Sequence, residues 1–192
     1  MMIPFDKLVL VAVVLSAGSV VQGAVGFASG MICLPLLVLN GLTLPEAVTI
    51  NVVSTSVQNV IGAWRLRRSL VPRELVVPVT LRWLGVPIGA FVLSHVDNLD
   101  PGRAKQLVGM LLLAVVVLLG SFRVKPRDDL KLGWQTLAFL SSGVMLGFAA
   151  IGGAPMVLYV NALTWSANKS RAFLFFCSAT GIPVVAGLLW WN

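Results

Sequence analysis

Apolar residues run along the chain in long stretches parted by short polar turns, and glycine interrupts the pattern at two places. The run from Lys7 to Gln22 predicts a first apolar helix, retained and not a signal peptide, since no small-residue cleavage site leads into a soluble mature domain. The first interruption is GAVGFASGMICLP, Gly23 to Pro35, and the apolar stretch Phe27 to Leu39 that it opens has thirteen residues. As a helix this stretch is about 20 Å long against roughly 30 Å of hydrocarbon, which predicts a half-helix or a strongly tilted one. Asn40-Gly41 turns the chain, and Thr43-Leu44-Pro45-Glu46 has the form of a capping box opening a helix to about Trp64. Leu75 to Leu93 and Ala104 to Phe122 predict full-length spans joined by a polar turn at Asp97 and Asp100. Trp134 to Ala150 predicts the next helix, the second interruption is GFAAIGGAP (Gly147 to Pro155), and Pro155 to Leu163 is again short. Lys169 to Trp190 predicts a last helix, kinked at Pro183.

Polar residues inside these apolar helices are few and patterned. In the third segment Asn51, Ser54, Thr55, Gln58, Asn59 and Gly62 recur at spacings of three and four, one stripe on a helix that otherwise suits lipid. Such a stripe faces protein or water: it lines a cavity, with Asn51 and Gln58 the foremost candidates, or it hydrogen-bonds neighbouring helices. Single Ser and Thr residues in such helices also bond their own backbone carbonyls. Cys177, Ser178 and Gly181 form a smaller stripe in the last helix. Arg82 stands about 10 Å into its helix, where a charge is costly unless paired, hydrated or able to snorkel. It either attracts an anion or reaches back to the interface.

Composition fixes the class. With 58% hydrophobic and 11% charged residues and a mean hydropathy of +0.95, the 192-residue chain reads as a polytopic helical membrane protein in a lipid bilayer, a single domain over 1–192. The net charge of +7 does not imply a nucleic-acid partner, because the basic residues lie in short clusters between apolar runs. Cys33 and Cys177 lie in apolar segments, and neither has metal-ligand spacing with the lone His95, so no metal and no cofactor are expected. Arg65, Arg67, Arg68 and Arg73 share one loop, Arg123, Lys125, Arg127 and Lys131 another. With these cytoplasmic, Lys169 and Arg171 fall inside too, while Lys7, Arg103 and Lys105 lie outside. An intramembrane enzyme is not expected: His95, Asp97 and Asp100 sit at a membrane edge, and Ser29 has no histidine within a span to activate it.

The interruptions belong to a repeat. Leu37-Val38-Leu39-Asn40-Gly41-Leu42-Thr43 matches Leu158-Tyr159-Val160-Asn161-Ala162-Leu163-Thr164, and Gly30 matches Gly153 across a two-residue gap. The copies enter the membrane from opposite sides, an inverted repeat of helices with two broken or re-entrant segments: repeat 1 over about 8–122 and an incomplete repeat 2 over about 133–192. A half-helix beginning at the midplane offers free amides and the positive end of its dipole to an anion, and glycine lets a ligand approach closely. Glycines also allow tight helix packing, the reading preferred for Gly85 and Gly89; for Gly26, Gly30, Gly152 and Gly153 the broken-helix site is preferred.

Gln22-Gly23-Ala24-Val25-Gly26-Phe27-Ala28-Ser29-Gly30 with Pro35, Gly85-Val86-Pro87-Ile88-Gly89, Gly143, Gly147 and Gly152-Gly153-Ala154-Pro155 with Leu158-Tyr159 resemble the TauE/SafE family of sulfite-exporter-like permeases. Ala28-Ser29 stands where the family often has a longer glycine run, and the chain ends before the family's usual final spans. The resemblance implies transport of a small anion, sulfite, a sulfonate or a related organic acid, across the bacterial inner membrane. The candidate binding residues are Gln22, Gly23, Gly26, Phe27, Ser29, Gly30, Asn51, Thr55, Gln58, Arg82, Gly152, Gly153, Pro155 and Ser178. The alternative is a truncated or partner-dependent membrane subunit, with a homo-oligomer supplying the missing spans.

Overall fold

The computed structural model describes residues 5–96, 106, 109–110, 113–114, 117, 126–128, 130–149 and 151–191. The turn at Asp97 and Asp100, Arg123 with Lys125, and all but isolated positions of the span Ala104 to Phe122 lie outside the described residues. Among the described residues every element is helical: α1 (Phe5–Val25), α2 (Ser29–Leu39), α3 (Leu44–Arg65), a 3-10 turn (Arg67–Ser69), α4 (Pro72–Val96), α5 (Leu132–Ala149), α6 (Gly153–Asn161) and α7 (Ala167–Trp191). The chain is all-α, as the pattern predicts, and each helix begins or ends within a few residues of its expected bound.

The starts and stops have local causes. Thr43 accepts from the Glu46 amide and the Glu46 carboxylate accepts from the Thr43 amide at 2.8 Å, so the expected capping box opens α3. α1 closes on Gly26, whose amide donates to the Gln22 carbonyl at 2.7 Å and whose φ of +89° suits glycine. Ala28 follows at φ 91°, a left-handed conformation that costs a residue with a β-carbon about 1–2 kcal/mol. Both short helices end at the matching asparagine: Asn40 caps α2, with its side-chain amide on the Leu36 carbonyl at 2.7 Å, and Asn161 is the last residue of α6.

Among the described residues two helices, over Lys7–Val25 and Pro72–His95, are long and apolar enough to cross a membrane. α2 and α6, with eleven and nine residues, are about 16 and 13 Å long and cannot. Each is instead sheathed by longer helices. Cys33, Leu34 and Leu37 of α2 are fully buried in a core with residues of α1, α3 and α4, and Met156 of α6 in a second with Phe139 and Phe173. Non-spanning backbone is tolerated at membrane depth only when enclosed in this way. The outer faces carry the reverse pattern, with Val13, Val20, Val57, Leu84 and Phe91 exposed.

α4 and α5 form the most extensive helix pair. Gly85 and Gly89 of α4 meet Gly143 and Gly147 of α5 backbone to backbone: a β-carbon on Gly85 would stand 2.9 Å from the Val144 amide nitrogen, and one on Gly89 2.7 Å from that of Phe148. The packing reading of Gly85 and Gly89 therefore holds. At the start of α7, Lys169 pairs with Glu74 of α4 at 2.8 Å and lies over the Trp165 ring at 4.3 Å. Arg127 and Asp128 are tied to the turn after α6 by the Arg127 amide on the Ala162 carbonyl (2.9 Å) and the Thr164 hydroxyl on Asp128 (2.7 Å).

Candidate functional site

The start of α2, the start of α6 and the middle of α3 and α4 face one cavity of ≈ 60 Å³. Since one water needs about 10–15 Å³ on this measure, the space takes roughly four waters, or one solute of about that many heavy atoms. Ala28, Gly30 and Met31 come from the first break and Ile151, Gly152 and Gly153 from the second. The breaks touch each other: a β-carbon on Gly153 would stand 3.1 Å from Cβ of Phe27, so Phe27 rests on the glycine face of α6. The Ser142 hydroxyl donates to the Gly152 carbonyl at 2.5 Å and the Ile151 amide to the Met145 carbonyl at 3.3 Å, which pins the second break to α5. Two helix N-termini, each with free amides and a partial positive charge, thus border one small space.

The side chains around it lean toward donation. Asn51, Thr55 and Asn59 lie one turn apart on the buried face of α3. Ser29 Oγ donates to Asn51 Oδ1 at 3.0 Å and Gln22 Nε2 to Asn59 Oδ1 at 2.6 Å. With both carbonyl oxygens engaged, each asparagine has its NH₂ group left to offer. Thr55 turns its hydroxyl to the Asn51 carbonyl at 2.8 Å, the backbone bond expected of an isolated threonine.

Arg82 completes the wall. α4 begins at Pro72, three residues before the expected start, so Arg82 lies about 15 Å along it, near its middle. It is 2% exposed, and among the described residues no carboxylate pairs with it. Among the described residues Nη1 reaches only Met156 Sδ, at 2.9 Å, and the buried Nε has no partner. A β-carbon on Gly152 would stand 3.2 Å from Nη2, so the second break owes its close approach to the guanidinium to the missing side chain. Arg82 does not snorkel.

Of the residues the sequence singles out, Gln22, Phe27, Gly30, Asn51, Thr55, Arg82, Gly152, Gly153 and Ser178 line the cavity. Gln58 does not: its amide donates to the Ser19 carbonyl of α1 at 2.7 Å, beside Gly23, and its Oε1 is buried without a partner. Gly23 therefore faces Gln58 on the flank of α1, away from the cavity. Ser29 stands behind Asn51, Gly26 packs on Arg171, and Pro155 is buried within α6. Asn59 lines the cavity where Gln58 was the stronger candidate, Gly181 joins the wall beside Ser178, and Leu146 and Ile151 join it unforeseen. Gly181 matches the stripe of the last helix; apolar Leu146 and Ile151 give no sequence signal that separates them from core.

The family model described as sulfite exporter TauE/SafE matches residues 10–192, nearly the whole chain. The chain belongs to the TauE/SafE family. The TauE/SafE family is one of membrane proteins, transporters and not enzymes, and the exposed apolar faces of α1, α3 and α4 accord with a membrane setting. No curated protein and no solved structure matches the chain.

Proposed function

We propose that this TauE/SafE protein is an inner-membrane permease for a small oxyanion, sulfite, a sulfonate or a related organic anion, bound where the two breaks meet and moved by alternating access. One observation carries the reading: a buried guanidinium with no carboxylate partner among the described residues stands on a cavity bordered by two helix N-termini. A charge so placed is expensive unless a counter-ion visits it, and an anion is the ligand that supplies one. Arg82 serves as the counter-charge, the amides of Gly30 and Gly153 and the side-chain amides of Asn51 and Asn59 as neutral donors, and Phe27, Gly152, Thr55 and Ser178 shape the space.

In this reading α1–α2–α3 opens repeat 1 (about 8–122) and α5–α6–α7 is the incomplete repeat 2 (about 133–192) of an inverted repeat, each with a helix, a break, a re-entrant half-helix and a polar helix. The shared order of elements and the matching Asn40 and Asn161 ends support it. The loop holding Arg65 to Arg73 faces the cytoplasm by the positive-inside rule.

The test is anion flux in proteoliposomes holding the purified chain, with sulfite, a sulfonate and a carboxylate offered in turn under imposed proton and sodium gradients. Saturable flux of one of them is expected. Arg82→Gln removes a charge-assisted hydrogen bond of about 1.5–3 kcal/mol, so KM for that anion should rise about tenfold to a hundredfold. Unchanged flux and KM in Arg82→Gln would remove the site from the reading.

A further inference from the structure

A second arginine lies beside the first break. Arg171, in the second turn of α7, packs its backbone and side-chain stem on Gly26: a β-carbon there would stand 3.5 Å from its Cα and 3.5 Å from its Cγ. Its Nη2 donates to Asn168 Oδ1 at 3.1 Å, its Nε is buried without a partner, and among the described residues no carboxylate pairs with it. Lys169, two residues away, differs in that Glu74 neutralises it and Trp165 covers it. One of the two cations at this end of α7 is closed and the other is open.

Arg171 does not line the cavity, but Gly26, which it touches, is followed directly by Phe27, which does. Resting on Gly153, the Phe27 ring belongs to the wall that Arg82 shares. We infer that Arg171 forms a second, weaker binding station for the same small oxyanion, next to the cavity and parted from it by Phe27. This rests on the permease reading. A partly exposed guanidinium attracts an anion and releases it readily, and passage through a protein needs sites that bind well enough to be occupied and weakly enough to be left.

Zero-trans uptake of the transported anion into right-side-out and inside-out vesicles, with wild type, Arg171→Gln, Arg171→Lys and Asn168→Asp, tests the inference. Arg171→Gln should lower kcat/KM about tenfold from both faces, as detailed balance requires, through a rise in KM on the face that Arg171 serves and a fall in kcat from the other. Arg171→Lys should keep KM near wild type. Asn168→Asp sets a carboxylate where the amide oxygen already meets Arg171, so it should cancel the free charge without removing the side chain and give the same one-sided rise in KM, even if Arg171→Gln does not fold. Unchanged KM from both faces in Asn168→Asp, or an equal rise from both, would overturn the station while leaving the Arg82 site standing. A wild-type chain that carries no anion would overturn the permease reading and this inference together.

Discussion

At the scale of single residues, Arg82 sets function against stability. A buried charge with Met156 Sδ as its hydrogen-bond partner and an unpartnered Nε among the described residues is held at a cost, and exchanging even paired buried charges for apolar groups of similar volume is often neutral or stabilising by about 1–4 kcal/mol. Arg82→Met should therefore unfold in detergent several degrees above wild type, at roughly 2–4 °C per kcal/mol, while losing saturable flux. A melting temperature at or below wild type would make Arg82 a structural residue instead. Arg82 was visible in the sequence as a charge inside an apolar run; which way it points was not, because that depends on a helix start three residues earlier and on the room Gly152 leaves. Gln58 and Asn59 make the same point. They are neighbours about 100° apart around α3, both within one polar stripe, and only the positions of Ser19 and Gln22 on α1 decide that the first reaches the α1 backbone and the second the cavity.

Among the elements, the helices with a strong apolar pattern and a clear signal at each end were legible in advance: the capping box of α3, the glycine that ends α1 and the asparagine ends of α2 and α6 are written in adjacent residues. The pairing of helices was less so, since the contact of α4 with α5 joins glycines about sixty positions apart. That contact is testable. A β-carbon on Gly147 would fall on the Val86 carbonyl oxygen and 2.9 Å from the Ala90 amide nitrogen, and neither backbone atom can turn aside. Gly147→Val should cost about 1–3 kcal/mol or more and lower the melting temperature in detergent accordingly. Gly133→Ala, in the first turn of the same helix with nothing within 4 Å of the added carbon, should not lower it. Equal melting temperatures for the two variants would deny the close packing.

For the whole molecule, the arrangement inverts that of a water-soluble bundle: large apolar side chains face outward along α1, α3 and α4, while the conspicuous polar groups, Gln22, Asn51, Asn59 and Arg82, are buried. Orientation follows from where the outward charges lie, and it can be read chemically. Cys33 and Cys177 are fully buried, so the native thiols should stay silent to a membrane-impermeant maleimide. Arg68→Cys, on the exposed turn after α3, should label in inside-out vesicles and not in right-side-out ones. The opposite pattern would reverse the topology while leaving the cavity unaltered.

The interlocked glycines of α4 and α5 have one more consequence. Sliding one helix along the other by a single residue, about 1.5 Å, would drive backbone against backbone where there is no room even for one added carbon. In the permease proposed above the pair is thus a stator: its internal spacing stays constant, and displacement is taken up where side chains, not backbones, form the seam, as between α3 and α7 at Gly62 and Phe175. Arg82 is mounted on the stator. In that reading the charge at the centre of the site is the fixed point, and α7, tied to α4 by Lys169 and Glu74 at 2.8 Å, is held beside it.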